Sequence, residues 1–326
     1  MTRRASDDFS IQIAPSHERL LDLASTDRSN PFLTPEYANI RAGQGEVPLI
    51  LQSDISGTPS QTIGFLRFGR TRRSLHIPSA PPVESDSSFW SAVADMRERT
   101  RLTEVSVDSF GSLHRAESPP SSFSNVIHRS EFLIRADDTE LRLRVSSGHR
   151  RNINKAVRAN AVVHERNDAL ACDIHAAVVH SALSRRRGRG EVIDFNPDPD
   201  LFSPLVLGGL GRIFQVELEG KVVASGLFLF AETGAYFHTG GTTDAGHSIG
   251  ASPFLVCAVV DGFRGTSRTV LNLGGARTSE TGLSQYKREF RSVPRELVSY
   301  RWDSSGLLRR VMNACTHHLP PIRAWS

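Results

Sequence analysis

Runs rich in β-branched and apolar residues, broken at regular intervals by polar positions, predict strands at Val47 to Ser53, Thr62 to Phe68 and Ser74 to Ile77. The spacing then switches to a helical period from Ser88 to Glu98 and returns to a strand over Thr103 to Asp108. The same order recurs at an offset of about 165 residues. Arg212 to Glu217, Val222 to Phe230 and Ala235 to Thr239 read as strands, Ser252 to Arg264 as a helix, and Thr269 to Leu273 as a strand. Leu218-Glu219-Gly220-Lys221, set between two apolar runs, predicts a tight hairpin turn. Three strands feeding a helix that returns to a strand imply a mixed α/β sheet with a right-handed crossover.

Between the two runs, Ser118 to Ser124 is rich in Ser and Pro, and Val126 to Ile134 resumes strand character. A boundary near Leu141 gives an N-terminal domain over 1–140 and a C-terminal domain over 141–326. The stretch from Leu141 to His164 then carries Arg142, Arg144, Arg150, Arg151, Lys155 and Arg158 without an acidic residue. Ser146 and Ser147 offer a cap for a helix in which Arg151, Lys155 and Arg158 share one face. Ile153 and Val157 mark the opposite, packed face. Such a helix suits a phosphorylated partner, or is simply solvated. Ala169 to Arg185 reads as a helix, followed by a basic loop over Arg185-Arg186-Arg187-Gly188-Arg189-Gly190 and the Pro197 to Pro199 stretch. Leu307, Leu308, Val311 and Met312 have amphipathic helical spacing, fit either to close a core or to dock a partner.

An apolar fraction of 39% over 326 residues supports a real core in two domains. With 39 Lys plus Arg against 35 Asp plus Glu the net charge is +4. Attraction to phosphate therefore depends on where charge is placed, not on its sum. Cys172, Cys257 and Cys315 are scattered without a CxxC pair, which argues against a disulfide scaffold and a zinc site and fits a reducing cytoplasm. Met1 to Ser10 has no apolar core of a signal peptide, and no apolar run is long enough to span a membrane, so a soluble, unexported protein is expected. No GxSxG, HExxH, Walker A or CxxCH motif occurs, and the 12 histidines lack metal-ligand spacing, so no metal is expected.

Gly240, Gly241, Gly246 and Gly250 lead into the helix that starts near Ser252 and Pro253. Glycines can turn backbone N–H groups toward an anion and a helix N-terminus adds partial positive charge, so the Gly246, Ser248, Gly250, Ala251, Ser252 segment is a candidate phosphate or carboxylate site; a plain turn is the alternative. Further on, Asn272-Leu273-Gly274-Gly275-Ala276-Arg277 leaves a strand and Tyr286-Lys287-Arg288-Glu289-Phe290 follows. Lys287, held between Tyr286 and Phe290, is placed to stabilise developing negative charge, or else covers the core with its stem. His238, beside Phe237 in a strand, is either a base near a cleft or a hydrogen-bonded structural residue.

Taken together, these segments resemble the FemAB-like branch of the GNAT acyltransferase superfamily. The match rests on the Ser147-Gly148-His149-Arg150-Arg151-Asn152-Ile153-Asn154-Lys155-Ala156 helix, on the Gly220-Lys221-Val222-Val223-Ala224 hairpin, and on Asn272-Leu273-Gly274-Gly275 followed by Tyr286-Lys287-Arg288-Glu289-Phe290. It covers about residues 141 to 300; in the first half the likeness is confined to element order and the Asn30-Pro31-Phe32 helix entry.

The resemblance implies two tandem GNAT-like domains, each a mixed sheet flanked by helices, and a cytoplasmic N-acyltransferase. An acyl or aminoacyl group would pass by direct attack from a phosphate-containing donor, acyl-CoA or aminoacyl-tRNA, to an amine acceptor. No permanently bound cofactor is implied. Lys287 matches the family's motif lysine, which the resemblance casts as the stabiliser of the charge formed on attack. Gly274, Gly275, Tyr286 and Phe290 would shape that motif. Arg150, Arg151, Lys155 and the Gly246 to Ser252 loop would meet the donor's phosphates, and His238 or water would take the amine's proton. Two other readings remain: an aminoacyl-tRNA dependent transferase acting on a peptidoglycan precursor, and a GNAT fold that binds a nucleic acid or protein without catalysis.

Overall fold

The computed structural model describes residues 9–55, 58–81, 88–112, 125–137, 139–193, 195–277 and 280–304. The Ser118 to Ser124 stretch and the Leu307 to Met312 segment lie outside the described residues. Strands β1 (Phe9–Ile13), β2 (Val47–Ile55), β3 (Thr58–Phe68), β4 (Arg73–Ile77), β5 (Glu104–Val107) and β6 (Asn125–Arg135) come from the first half of the chain. Strands β7 (Val162–Arg166), β8 (Gly211–Leu218), β9 (Lys221–Phe230), β10 (Gly234–Thr242), β11 (Val270–Arg277) and β12 (Val293–Asp303) come from the second. All join one 12-stranded sheet in the order β1-β2-β3-β4-β5-β12-β6-β11-β10-β9-β8-β7.

Helices α1 (His17–Thr26) and α2 (Pro35–Gly43) precede β2, and α3 (Ser88–Arg99) links β4 to β5. Helices α4 (Leu141–Arg144), α5 (Ser147–Arg158), α6 (Ala169–Gly188) and α7 (Pro199–Leu207) follow β6, while α8 (Asp244–Ile249), α9 (Ala251–Asp261) and α10 (Thr281–Arg288) lie after β10. Both predicted runs are present: β2-β3-β4-α3-β5 and β8-β9-β10-α9-β11 have the same order, and each ends in a parallel pair, β4 with β5 and β10 with β11. The predicted hairpin between β8 and β9 closes through Glu219 and Gly220, both at positive φ (50 and 74), the twist that suits adjacent strands. β6 pairs with β11 on one side and β12 on the other, and β12 also pairs with β5, so strands from both halves alternate at the sheet's centre.

Side-chain alternation assigns each strand to two cores. In β2, Ile50 faces one layer, where α1, α2, α6 and α7 contribute Leu23, Tyr37, Cys172 and Phe202. Its neighbours Leu49 and Leu51 face the other, against Phe89 and Trp90 of α3. The first of these layers is shared by both halves, since Ile63 and Phe65 of β3 join Leu227 and Leu229 of β9 in it. A third cluster packs α5 and α9 on the β9 to β11 region through Ile153, Leu255, Val256 and Phe228.

Two expectations change. The predicted basic loop begins later, because Arg185, Arg186, Arg187 and Gly188 form the last turn of α6. Arginine propagates a helix well, and positive charge is favoured at a helix C-terminus. These side chains are also engaged within the fold: Arg185 with Asp244 at 2.8 Å, Arg186 with Glu191 at 2.7 Å, and Arg187 with the Phe195 carbonyl at 2.6 Å. In α5, Ser146 caps the helix by accepting from the His149 N–H, as expected, but Val157 is 45% exposed. The buried stripe is His149, Ile153 and Ala156, at i, i+4 and i+7, and Val157 falls one step around the helix from it.

Candidate active site

The parallel pairing of β10 with β11 covers three positions, Gly234 to Tyr236 against Val270 to Asn272, and then stops. Both strands become irregular at that point, β10 between Phe237 and Thr239 and β11 between Asn272 and Gly275. Bulges bend a strand and break its ladder, so the two strands splay into a wedge. A cavity of about 480 Å³ occupies it, with His238, Thr239 and Gly240 on the β10 side and Leu273, Gly274, Gly275 and Lys287 on the other. Val179, Leu183 and Arg186 of α6 also line it, with Phe32 and Phe110 from the first half of the chain.

Lys287 projects from α10 beneath the irregular part of β11. It is 6% exposed, and its ammonium donates to the carbonyls of Gly274 (2.8 Å) and Gly275 (2.9 Å). Its Nζ also lies 5.7 Å from the centre of the Phe132 ring. Burial lowers its pKa to about 8, against the opposing pull of Glu131 and Glu280. The lysine thus remains largely protonated at neutral pH and places a positive charge, poorly screened by water, at the cavity wall.

Behind the wall lies Glu131 of β6, fully buried. It accepts from the Asn272 side-chain amide (2.5 Å), the Tyr236 hydroxyl (3.0 Å) and the Gly111 N–H (3.2 Å). Burial raises its pKa in spite of these three donors. Asn272 in turn accepts from the Gly274 N–H (2.8 Å), so one network fixes both the last paired position of the wedge and the first residue beyond it. His238 is exposed into the cavity, and the protein crowded around it lowers its pKa to about 4, leaving it neutral at pH 7. His175, fully buried between Ser225 and Thr239, is lowered to about 3 by the same cause, with a smaller contribution from His238.

A second cavity, about 290 Å³, lies further along β10, bounded by Thr242, Gly246, Gly250, Ala251 and Ser252. His149 and Asn152 of α5 and Gln285, Tyr286 and Glu289 at the end of α10 complete it. Helix α10 therefore stands between the two cavities, with Leu283 and Lys287 facing the first and Tyr286 the second. Tyr286 shares a 2.6 Å hydrogen bond with Ser252, its carbonyl lies 3.0 Å from His149 Nε2, and Glu289 is 2.9 Å from His149 Nδ1. These contacts tie α5, α9 and α10 together around the opening.

The sequence candidates fall into three groups. Lys287, His238, Gly274 and Gly275 meet in the wedge. Gly246, Gly250, Ala251, Ser252 and Tyr286 line the second cavity. Here the glycines serve the fold as well: a Cβ on Gly246 would strike the Val223 carbonyl, and Gly250, at φ +73, sits where a Cβ would be 2.6 Å from Asn152. Arg150, Arg151 and Lys155 form an exposed face of α5 outside both sets of lining residues, and Ser248 is exposed on α8. Phe290 is buried, its ring 4.3 Å from that of His149. Sequence reading gives no site role to Arg129, Glu131, Tyr236 or Phe110, and names Asn272 and Phe32 only as parts of motifs. Glu131, an acid running directly into the apolar Phe132 to Ile134 stretch, is the available signal. Among the described residues no cluster of three or more His, Cys, Asp or Glu is arranged to hold a metal, and no helix is long and apolar enough to cross a membrane.

No protein-family model matches the chain, and neither does any curated protein sequence. Solved structures do match. FemX superposes with a TM-score of 0.63 at 11% identity, over 92% of this chain and 99% of FemX. A conserved protein from Bacteroides thetaiotaomicron matches with a TM-score of 0.56 at 11% identity, over 90% and 99%. A tandem GNAT protein from the clavulanic acid biosynthesis pathway matches at 0.51 and 9% identity, over 90% and 99%. At such identities the likeness is one of fold: the chain is built like FemX and the tandem GNAT protein, one mixed sheet flanked by helices.

Proposed function

We propose that this protein is a cytoplasmic N-acyltransferase that moves an acyl group from a phosphate-containing donor, acyl-CoA in the first instance, to an amine. The observation that carries this reading is the pair of cavities strung along β10 on either side of α10. A donor extended along that strand would have its phosphates at the second cavity, against the N-terminus of α9, and its acyl carbonyl in the wedge beside Lys287. The tandem GNAT fold of the structures similar to this chain supports the assignment to acyl transfer.

The amine would attack the acyl carbonyl directly: among the described residues lining the wedge there is no cysteine or serine, and the Thr239 hydroxyl is held by His175 at 2.9 Å. Two of the Lys287 hydrogens are committed to the Gly274 and Gly275 carbonyls, so the lysine would act through its fixed charge on the oxyanion as it forms. His238, neutral and open to the cavity, would receive the proton lost by nitrogen, directly or through water.

Aminoacyl-tRNA is the second donor to consider, favoured by the exposed Arg150, Arg151 and Lys155 on the helix whose Asn152 borders the second cavity. The deciding experiment is calorimetric titration with coenzyme A and acetyl-CoA. Micromolar binding, abolished when Gly250 is replaced by a bulky residue in a variant that still melts cooperatively, is the expected result. Absence of binding overturns the acyl-CoA assignment. A charged-tRNA titration at several salt concentrations then separates a tRNA-dependent enzyme, whose affinity falls steeply with salt, from a non-catalytic module.

A further inference from the structure

Arg129 of β6 lines the wedge, yet the fold gives its charge little to do. Its guanidinium stacks over the Phe110 ring at 4.1 Å, and its Nε and Nη2 atoms are buried with no hydrogen-bond partner among the described residues. The carboxylate nearest in the ion-pair geometry, Asp108, is 3.8 Å away and already committed: it receives Arg301 on both oxygens at 3.1 Å, and also Ser299 and His76. Glu131, two residues along the same strand, is occupied by Asn272, Tyr236 and Gly111. Guanidinium nitrogens buried without a hydrogen-bond partner are costly, and the long Asp108 contact and the aromatic face offset only part of that cost.

Resting on the acyltransferase reading above, we propose that Arg129 anchors a carboxylate carried by the acceptor, and that the acceptor is an α-amino acid with an apolar side chain. A single planar guanidinium fits a singly charged, two-oxygen anion. The other cations of the wedge are engaged elsewhere, Lys287 by two carbonyls and Arg186 by Glu191 and Glu280. Arg129 and Lys287 meet at Gly275: Lys287 donates to its carbonyl, and a Cβ there would lie 3.3 Å from the Arg129 side chain. A carboxylate on Arg129 thus holds an amine one carbon away beside the reacting centre. The remaining wall, Phe32, Val179, Leu183 and Phe195, suits an apolar side chain. In the transfer, nitrogen forms the new C–N bond as the bond from the acyl carbon to the donor's sulfur breaks, and the proton from nitrogen balances the released thiolate.

The test uses the full chain with acetyl-CoA and two matched pairs of acceptors, leucine with isoamylamine and phenylalanine with phenethylamine, following amide product and free thiol. We expect kcat/KM for each amino acid to exceed that of its decarboxylated partner by at least about 100-fold, as a charge-assisted bidentate contact is worth. In R129Q that ratio should collapse below about 3, mainly through KM, and R129K, which keeps the charge and loses the fork, should fall between. Equal rates within each pair in the wild type, or a ratio unchanged in R129Q, overturn the anchor while leaving acyl transfer standing. If no amine of either kind is acylated, transfer from acetyl-CoA fails instead. Calorimetry with N-acetyl-leucine then decides the anchor: binding lost in R129Q supports it, and binding absent from or equal in both proteins overturns it.

Discussion

The two halves build the same strand-helix-strand unit and finish it differently. In the first, β4 and β5 pair from Ser74 to Ile77, and hydrogen bonds continue past the strands, from Asp108 N–H to the Ile77 carbonyl (2.7 Å), Phe110 N–H to Pro78 (2.9 Å) and Ala80 N–H to Asp108 (2.7 Å). In the second, β10 and β11 separate after three positions and a cavity opens. A zipped seam satisfies its own backbone, whereas a splayed one leaves strand edges for a ligand. The zipped half has become a platform, and its contribution to the cavity is the pair of rings Phe32 and Phe110 together with Arg129 of β6. Two units of like order, one with a closed seam and one with an open seam, therefore yield one site with walls from both halves.

The strongest way to break this contrast is at Glu131, which locks the mouth of the open seam. Glu131→Ala leaves the Tyr236 hydroxyl, the Asn272 amide and the Gly111 N–H without their acceptor, and should lower stability by about 3 to 5 kcal/mol in chemical denaturation. Lys287→Ala probes the chemistry of the same seam: turnover should fall about 100-fold, or about 2.7 kcal/mol in the barrier, with the fold retained. In the wild type, turnover should decline as pH rises through about 8, where Lys287 loses its charge, and the variant should lack that limb.

A subtler probe is His175, which holds Thr239 of the bulged strand from α6. Its folded pKa, about 3, lies below the unfolded value, so the unfolded chain binds more protons between the two. Stability contributed by the neutral ring is therefore complete above about pH 6.5 and is lost as pH falls toward 3, at up to about 1.4 kcal/mol per unit. His175→Gln should flatten that slope in a series of urea melts. The smallest expected effect is at Val157, where Ala should change stability by less than about 0.5 kcal/mol, against about 3 kcal/mol for Ile153→Ala on the packed side of the same helix.

Much of the fold was legible because it is written in local periodicity: β2 to β5 and β8 to β11 announce themselves by alternation and length, and the α5 cap by Ser146. The placement of β12 between β5 and β6 was not, since pairing across the chain leaves no local mark. The site divides in the same way. Lys287, Gly274 and Gly275 sit close together in sequence and form a visible motif. Arg129, Phe110 and Phe32 enter the wedge from separate elements of the first half, and nothing in their immediate neighbours distinguishes them from ordinary surface or core residues. The end of α6 is not legible, because a run of arginines reads as loop charge although arginine also propagates a helix.

The strand order also bears on how the chain acquires its structure. β5 waits for β12 as its neighbour, and the contact between Ser109 and the Val298 carbonyl spans 189 residues of sequence. During synthesis the first half emerges with the β5 edge unpaired, exposed to pairing with other nascent chains until β12 arrives. Such distant closure implies slow folding and a single cooperative step that commits both halves together. The two units are similar in design, yet the first cannot finish before the second.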